Sequence, residues 1–592
     1  MKFETLVPQD FVRRMHAEGH WRDEVFADHL DRCRRESPDV TAIVDFNSME
    51  GRGSRLSYRE LAERVDRIAL GLADLGVGKG DIVSCQLPNW WQFAAMVFAC
   101  WRIGAVVNPM MPIFREREVR FMLGFAESKV FVVPRTFRGF DYPGMARAVR
   151  GDLPHLQRLL VIGGEGEESF EDVLLGAPFD AARAQRLFAE RRLAADDVVQ
   201  VLYTSGTTGE PKGVMHTSNT LLSNLRPFSA RLDLSARDTV LMSSPLAHQS
   251  GFIYGVLMPV VLGATVVLQD VWDGRRAAEL IAAECAAFTF ASTPFLSDLT
   301  DAVGQGGCDV SSLRMFVAAG APIPRVLVER AARTLGAHIV SAWGMTENGC
   351  VTTTRLDDPE EKAFHTDGCA LPGMAVRVFS PSGAPMPTGE EGQLKVRGCS
   401  NFVGYLKRPQ LYNHDADGWF DTGDLARMDA DGYIRITGRA KDIIIRGGEN
   451  IPVVEIEGLL FRHPAVQAVA IVGTPDERLG ERACAFVVPK PGQNLRLRRD
   501  GALPLRAEGR QAVSPGAARD RQGAAADAER EGAEVPAARD CEDDVRRPWT
   551  ARISSRTGGP GTCSTRERIA DGAGRRRGGR GRTQGRAYGS FD

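Results

Sequence analysis

The chain has 592 residues, and its 74 Lys and Arg against 76 Asp and Glu give a formal net charge of −2. Hydrophobic residues make up 43% and charged residues 25%, which is ordinary for a soluble globular protein. Proteins that bind nucleic acids or membrane surfaces need a basic face, so this balance argues against both classes, and the length suggests several domains.

The cysteines and the N-terminus point to a reducing compartment. The 11 cysteines are scattered singly, without a C-x-x-C pair, which predicts free thiols rather than a disulfide framework. Residues 1–4 lack the basic start and apolar run of a signal peptide. We therefore expect a cytoplasmic protein.

Residues 1–440 alternate helical and strand patterns. Ser57 and Glu60 have the spacing of a capping box, which opens an amphipathic helix closed by Gly76. Further patterns predict a helix over 90–103 and strands over 81–87, 105–108 and 198–203. Strands that alternate with helices predict an α/β fold, with parallel or mixed sheets flanked by helices.

Residues 245–269 contain no Asp, Glu, Lys or Arg, and the apolar run 251–268 is long enough to suggest a membrane span. Pro259 and Gly263 divide this run into a helix-sized piece and a short strand-like piece. A buried helix that leads into a core strand explains the positions of this proline and glycine better than a membrane span does. We therefore expect no integral membrane contact.

A loop rich in glycine and hydroxyl groups follows the strand that ends near Tyr203. Its residues are Thr204, Ser205, Gly206, Thr207, Thr208, Gly209, Glu210, Pro211 and Lys212. Its glycines, hydroxyls and ammonium are the groups needed to hold a polyphosphate. It is not a Walker A loop, because Pro211 stands at the second glycine position and Gly213 replaces the metal-binding Ser or Thr. On its own, such a loop is equally consistent with a flexible surface turn.

Four further blocks accompany this loop: Phe316–Pro322, Ala342–Asn348, Gly418–Asp424 and Gly438–Ile451. In order and spacing, the five blocks resemble the adenylate-forming superfamily of acyl-CoA synthetases, peptide-synthetase adenylation domains and luciferases. The resemblance covers residues 25 to 490 approximately. It implies a ligase that uses ATP, Mg²⁺ and coenzyme A. In the first step a carboxylate attacks the α-phosphate of ATP, and in the second a thiol displaces AMP from the acyl-adenylate.

The resemblance also implies roles for single residues. Thr346 would contact the α-phosphate, and Glu347 would hold Mg²⁺, a hard cation that prefers oxygen ligands. Asp424 would accept hydrogen bonds from the ribose hydroxyls, with Arg439 beside it. The remaining expected nucleotide-binding residues are the loop Thr204–Lys212, Ala318, Ala319, Gly320 and Ala321 at the adenine, and Trp343, Gly344 and Met345.

A two-domain organisation follows from the same resemblance. We expect an AMP-binding domain over residues 1–438, a hinge over 439–441 and a small mobile α+β domain whose remnant covers 442–496. Lys441 would absorb the dihedral change when the small domain swings between the two half-reactions. Gly447 and Gly448 would permit close approach of the backbone to the pantetheine arm of the thiol substrate.

The block Pro245–Tyr254 corresponds to the acyl pocket of the relatives, and its expected lining residues are His248, Gln249 and Phe252. An amino-acid-activating relative needs a carboxylate here for the substrate ammonium, and this block has none. An uncharged aliphatic or cyclic acid fits better. The amino-acid sequence is most similar to that of cyclohexanecarboxylate–CoA and medium-chain acyl-CoA ligases. A buried histidine with only a structural role is the alternative for His248.

The residues after Lys490 differ from the rest of the chain in amino-acid composition. They number 102 and include 21 arginines, no lysine and few large apolar side chains. Such a composition is typical of a disordered basic tail, for which we expect no specific nucleic-acid partner. Relatives end with a Pro-x-Thr-x-x-Gly-Lys motif whose lysine bridges the carboxylate and the α-phosphate, and this chain lacks that lysine.

We hypothesise that the tail results from a shifted reading frame. When residues 514–539 are back-translated with suitable synonymous codons and read one nucleotide later, they encode LPERLEIVRALPRTPSGKVQKFRLR, which restores the missing motif. We therefore expect residues 497–592 to be a non-native, disordered product.

Two rival functions stay open: a ligase that loads a carrier protein instead of coenzyme A, and a catalytically impaired nucleotide-binding protein.

Overall fold

The computed structural model describes residues 3–204, 210–320, 323–446, 449–451, 453–461, 463, 465–476, 478, 480–490, 492–493, 495–496 and 506–507. Its helices accompany two large sheets, an antiparallel four-stranded sheet and a C-terminal four-stranded sheet. The α-helices are Gln9–Ala17, Phe26–Glu36, Tyr58–Asp74, Trp91–Arg102, Glu116–Phe125, Tyr142–Arg150, Ala181–Glu190, Ser218–Arg231, Gln249–Gly251, Met258–Leu262, Gly274–Glu284, Thr293–Gly304, Arg325–Leu335, Glu360–His365 and Val453–Phe461. Shorter 3₁₀ or π turns are Gly166–Glu168, Glu171–Leu175, Phe252–Leu257, Pro409–Leu411 and Ala440–Asp442.

The largest sheet is mixed and has nine strands. In spatial order its strands are Cys369–Ala370, Gly349–Thr353, His338–Met345, Met315–Ala318, Ala286–Ala291, Thr239–Met242, Val266–Gln269, Thr41–Asn47 and Arg52–Ser57. The six strands from His338–Met345 to Thr41–Asn47 are parallel, and the strands at both edges are antiparallel to their neighbours. The parallel centre is buried under helices, as this sheet type requires.

The second large sheet has seven strands. Its strands in order are Gly404–Tyr405, Lys212–Thr217, Val198–Thr204, Val106–Pro109, Ile82–Cys85, Val130–Pro134 and Arg158–Ile162. The five strands from Val198–Thr204 onward are parallel, whereas the first two add an antiparallel edge. The predicted α/β class with mixed sheets and flanking helices is therefore confirmed.

Two smaller sheets complete the architecture. An antiparallel sheet consists of Met374–Phe379, Gly392–Gly398, Phe420–Met428 and Ile434–Arg439. The C-terminal sheet consists of Glu449–Ile451, Ile444–Arg446, Gly480–Pro489 and Val466–Asp476, beside the helix Val453–Phe461. Two short hairpin pairings are Thr136–Phe137 with Phe140–Asp141 and Leu495–Arg496 with Arg506–Ala507. The last pairing departs from the predicted disordered tail at residues 506–507; the rest of that segment lies outside the described residues.

The local predictions for the N-terminal half are confirmed. Ser57 accepts a hydrogen bond from the Glu60 backbone N–H at 3.2 Å, and Glu60 accepts one from the Ser57 N–H at 2.8 Å. This capping box starts the helix Tyr58–Asp74, whose inward face is buried. The helix predicted over 90–103 is Trp91–Arg102, and the flanking strands lie within two residues of their predicted positions.

The apolar segment 245–269 folds as a buried helical stretch that leads into a core strand, as the positions of its proline and glycine predict. Helical turns run from Gln249 to Leu262, Gly263 ends them at a φ of +78°, and the strand Val266–Gln269 follows. In the part of the chain that the structure describes, no helix combines the length and hydrophobicity that crossing a bilayer requires.

Candidate active site

Two of the predicted blocks lie at the carboxyl ends of neighbouring parallel strands. Ala318 ends the strand Met315–Ala318, and Ser341 of the strand His338–Met345 is its register partner. Ala318 and Ala319 are buried, and Gly320 is exposed with a φ of +83°, a conformation that favours glycine. Ligands of open α/β sheets bind beyond such carboxyl ends. Ala321 lies outside the described residues.

The strand His338–Met345 carries Trp343, Gly344 and Met345 towards a turn that holds Thr346 and Glu347. Trp343 is buried, and Gly344 packs against the backbone of Gly349 and Cys350 so closely that a side chain would clash. The Met345 N–H donates to Asn348 Oδ1 at 3.1 Å, which closes the turn. The sequence block therefore becomes a tight, internally bonded turn at the sheet edge.

The glycine- and hydroxyl-rich loop joins two antiparallel strands of the seven-stranded sheet. Thr204 ends one strand, Lys212 begins the next, and the two residues are register partners. The intervening Ser205, Gly206, Thr207, Thr208 and Gly209 lie outside the described residues. The loop is therefore the tip of a hairpin whose two ends are fixed by the sheet.

Glu347 is a buried carboxylate at the centre of the site. Its side chain is 6% exposed, and its Oε1 accepts a hydrogen bond from the Tyr405 hydroxyl at 2.8 Å. Burial raises the pKa of this carboxyl, whereas the Tyr405 hydrogen bond and the charges of Lys212 and Arg439 act in the opposite direction. The Lys212 ammonium lies 5.3 Å from the centre of the Tyr405 ring, so one side chain contacts both Lys212 and Glu347.

The turn that carries Glu347 is held from the seven-stranded sheet. His216 Nε2 donates to the Thr346 carbonyl oxygen at 2.8 Å, and the Phe402 N–H donates to the Glu347 carbonyl oxygen at 2.7 Å. His216 is 1% exposed, and burial lowers its pKa to about 4, so the ring is neutral. The Nε2–H tautomer leaves Nδ1 as an acceptor for the Thr220 hydroxyl at 3.0 Å.

Asp424 has a different set of hydrogen-bond partners. Its Oδ2 accepts from the Trp343 indole N–H at 2.9 Å, and its Oδ1 accepts from Arg439 Nε at 3.1 Å. Burial raises the pKa of this carboxyl, and the Arg439 charge opposes that rise. The structure thus brings together three residues that the sequence analysis assigned to the nucleotide.

The predicted hinge lies where the antiparallel sheet gives way to the C-terminal sheet. Arg439 ends the strand Ile434–Arg439, and the exposed Lys441 lies in the short turn Ala440–Asp442. The next strand begins at Ile444. Gly447 and Gly448 lie outside the described residues, so their predicted role is not described by the structure.

The three predicted acyl-pocket residues lie in different surroundings. The surface of His248 is accessible and its Nδ1 lies 2.8 Å from Ser250 Oγ, while the surrounding protein atoms lower the pKa of the ring by desolvation. Gln249 is buried, and its Oε1 accepts from Gln200 Nε2 at 3.0 Å. Phe252 is fully buried among core aromatic rings, including Phe93 and Trp101. A shared pocket for these three side chains is not evident from their contacts.

His216 and Tyr405 are site residues that the sequence analysis did not identify. Both lie on paired edge strands of the seven-stranded sheet, where Val214 is the register partner of Tyr405. The two strands are almost 190 residues apart in the chain, so their pairing depends on the tertiary fold. The sequence signal for Tyr405 was limited to a Gly-Tyr pair without a block of its own.

Within the described residues, no group of three or more His, Cys, Asp or Glu side chains is arranged to hold a metal ion. Mg²⁺ in nucleotide-dependent enzymes is held by one or two carboxylates together with substrate phosphates and water. The buried Glu347, bonded to a neutral phenol, fits that mode of binding, in which most ligands come from the nucleotide.

Comparisons with known proteins found matching family models and similar sequences. The family model for the AMP-binding enzyme matches residues 30–406, and the model for the AMP-binding enzyme C-terminal domain matches residues 455–521. The chain is 36% identical to the medium-chain fatty-acid–CoA ligase of Escherichia coli K12, and the match covers 81% of this chain and 84% of the relative. It is 33% identical to the 2,3-dihydroxybenzoate-AMP ligase of Bacillus subtilis 168, with 83% and 89% covered.

A solved structure shows the same architecture. ATP-bound MatB from Rhodopseudomonas palustris is similar with a TM-score of 0.69 at 26% identity, and the match covers 79% of this chain and 89% of that chain. The match to the C-terminal domain reaches residue 521, beyond the predicted frame boundary near 497. That boundary stays a prediction.

Proposed function

The chain belongs to the adenylate-forming family of AMP-binding enzymes and is a ligase of the AMP-forming acyl-CoA synthetase type, and we propose that it joins a carboxylic acid to coenzyme A in two steps. The acid carboxylate attacks the α-phosphate of ATP and releases pyrophosphate. The thiol of coenzyme A then attacks the carbonyl carbon of the acyl-adenylate and releases AMP. Positioning and charge neutralisation are the main contributions that such transfers need from a protein.

The observation that carries this proposal is a chain of contacts between three sheets: Tyr405 contacts both Lys212 and Glu347, and Asp424 accepts hydrogen bonds from Trp343 and Arg439. The loop Thr204–Lys212 would hold the β- and γ-phosphates, and Thr346 would contact the α-phosphate. Bound Mg²⁺ would neutralise phosphate charge, and Glu347 would hold it through a carboxylate oxygen. The triphosphate of ATP would then have cationic and hydrogen-bonding partners.

The nucleoside end of ATP would lie against the nine-stranded sheet. Ala318–Ala321 would contact the adenine, with Trp343, Gly344 and Met345 as the adjoining wall. Asp424 would accept from the ribose hydroxyls, and it retains lone pairs for this although Trp343 and Arg439 each donate to it. Arg439 would then fix the carboxylate in its ionised form.

The domain organisation is part of the proposal. Residues 1–438 would form the AMP-binding domain, 439–441 the hinge and 442–496 the remnant of the small domain. The exposure of Lys441 in a short turn between two sheets supports a hinge, because its backbone can change without breaking a sheet. Gly447 and Gly448 would line the path of the thiol substrate.

We propose an uncharged medium-chain or cyclic aliphatic acid as the substrate. The absence of acidic side chains from 245–269 disfavours an amino acid, and His248, Gln249 and Phe252 would contribute to the pocket wall. The similarity to a medium-chain fatty-acid–CoA ligase supports this choice and a role in fatty acid metabolism in the cytoplasm. The similarity to an aryl acid–AMP ligase keeps the carrier-protein thiol as the second candidate acceptor.

The test uses the chain as written beside a version with the reading frame restored from residue 497. Because the chain lacks the lysine motif of its relatives, we expect its acid-dependent pyrophosphate exchange to be at least ~100-fold slower, at about 1.4 kcal/mol of transition-state stabilisation per factor of ten. A panel of acids assayed for AMP release with and without coenzyme A then identifies the acid and separates the two acceptors.

Equal exchange rates for the two versions would refute the frame hypothesis. Codons incompatible with the recovered string would refute it independently. If the frame-restored protein binds ATP but releases no AMP with any acid, the chain is a nucleotide-binding protein without ligase activity.

A further inference from the structure

Tyr405 connects the two proposed phosphate-side groups of the site. It lies on the edge strand Gly404–Tyr405, which pairs with the strand that Lys212 begins. Its side chain is 4% exposed, and its hydroxyl donates to Glu347 Oε1 at 2.8 Å. The Lys212 ammonium lies 5.3 Å from the centre of the same ring. One side chain thus contacts both the carboxylate and the ammonium.

The ring of Tyr405 is fixed by packing. Its centre lies 4.6 Å from that of Phe402, and both rings belong to a core cluster with Val214 and Trp343. The backbone N–H of Phe402 also donates to the Glu347 carbonyl oxygen at 2.7 Å. The Tyr405 hydroxyl and the backbone of Glu347 are therefore anchored to the same element, which fixes the carboxylate at both ends.

A phenol suits this position because it is uncharged. An arginine or lysine bonded to Glu347 would cancel the carboxylate charge, whereas the neutral hydroxyl donates a hydrogen bond and leaves that charge available to a cation. The one hydrogen bond to Oε1 leaves lone pairs of the carboxylate available to a metal ion. The ring face attracts the Lys212 ammonium without neutralising it, so that charge stays available to phosphate.

We propose that Tyr405 is a positioning residue that aligns Glu347 for Mg²⁺ through its hydroxyl and Lys212 for phosphate through its ring. This inference rests on the proposed ATP-dependent function. It assigns separate tasks to two parts of one side chain, and substitutions can remove them one at a time.

The experiment measures ATP affinity by calorimetry for the full chain, once with MgCl₂ and once with EDTA. Tyr405→Phe removes the hydroxyl and retains the ring. We expect it to weaken ATP binding about tenfold in Mg²⁺, the effect of losing one hydrogen bond to a charged group, and less than twofold in EDTA. Tyr405→Leu also removes the ring, so it should weaken binding in EDTA as well.

Tyr412→Phe is the matched control. Its ring also packs on Phe402, at 5.2 Å, and its hydroxyl lies 3.5 Å from the Phe402 carbonyl oxygen rather than near Glu347. We expect unchanged ATP affinity under both conditions. In the Glu347→Gln background, Tyr405→Phe should have no further Mg²⁺-dependent effect, because the carboxylate it aligns is absent.

The outcomes separate this inference from the function on which it rests. Failure of the wild-type chain to bind ATP in Mg²⁺ would overturn the proposed function. Wild-type binding with an unchanged Tyr405→Phe, or with an equal loss in Mg²⁺ and EDTA, would overturn the positioning role alone. Should Tyr405→Phe not fold, Glu347→Asp withdraws the carboxylate from the intact hydroxyl, and the same Mg²⁺-selective loss is expected; an unchanged Mg²⁺ dependence would overturn the inference.

Discussion

The two buried carboxylates of the site, Glu347 and Asp424, have similar burial but different partners. Both residues are 6% exposed, and burial raises the pKa of both carboxyls. Asp424 is bonded to a cation, Arg439, and to an indole N–H. Glu347 is bonded to a neutral phenol, and the cations near it, Lys212 and Arg439, act at longer range.

The difference indicates which carboxylate is prepared for a further positive charge. A buried carboxylate without a directly bonded cation is electrostatically costly, and a bound cation offsets that cost. Asp424 has its counter-charge already and is suited to neutral hydroxyl donors. The two carboxylates are equally buried, so burial does not distinguish a metal-binding role from a ribose-binding role. The donor that is bonded to each carboxylate distinguishes them.

The largest expected effect comes from Glu347→Gln in the frame-restored protein. The amide keeps the shape but removes the charge, so acid-dependent pyrophosphate exchange should fall about 10²- to 10³-fold, the range for losing one electrostatic contact to a developing charge. Saturating Mg²⁺ should not restore the rate. Glu390→Gln, an exposed carboxylate elsewhere, is the matched control. A rate restored by Mg²⁺ would mean that Glu347 only strengthens metal binding.

The pH dependence of stability tests the support beneath Glu347. His216 has a pKa near 4 in the folded protein, below its ordinary value of about 6.5, so the unfolded chain binds the proton more readily. Its stabilising contribution is therefore complete above pH 6.5 and is lost as the pH falls towards 4. Over that window we expect the free energy of unfolding to fall by about 3 kcal/mol more for the wild type than for His216→Asn. Urea unfolding at several pH values measures this; parallel curves for the two proteins would contradict it.

A smaller effect is expected for Asp424→Asn. It removes the charge that pairs with Arg439 and one ribose acceptor, so AMP and ATP affinity should weaken about tenfold, or about 1.4 kcal/mol. The loss should be the same in Mg²⁺ and in EDTA, unlike the loss at Glu347, because the ribose is remote from the metal. Asp417→Asn, an exposed aspartate in the preceding turn, is the control. A Mg²⁺-dependent loss would remove the distinction between the two carboxylates.

Several features were predictable because their signals are local. The capping box at Ser57 depends on residues three positions apart, and the helix–strand division of 245–269 depends on Pro259 and Gly263 within the segment. The strand before the hydroxyl-rich loop was predictable from its apolar run. The roles of Thr346, Glu347 and Asp424 came from resemblance, and the structure shows their surroundings.

What the sequence by itself determined is the α/β class, the order of the blocks and the chemical types available at the site. The tertiary structure alone decided that Tyr405, from an edge strand, bonds Glu347, that His216 supports the turn before it, and that Phe252 is packed in the core while His248 is exposed. The physical reason is that capping and periodicity act over a few residues, whereas these contacts depend on strand register and sheet packing across long separations in the chain.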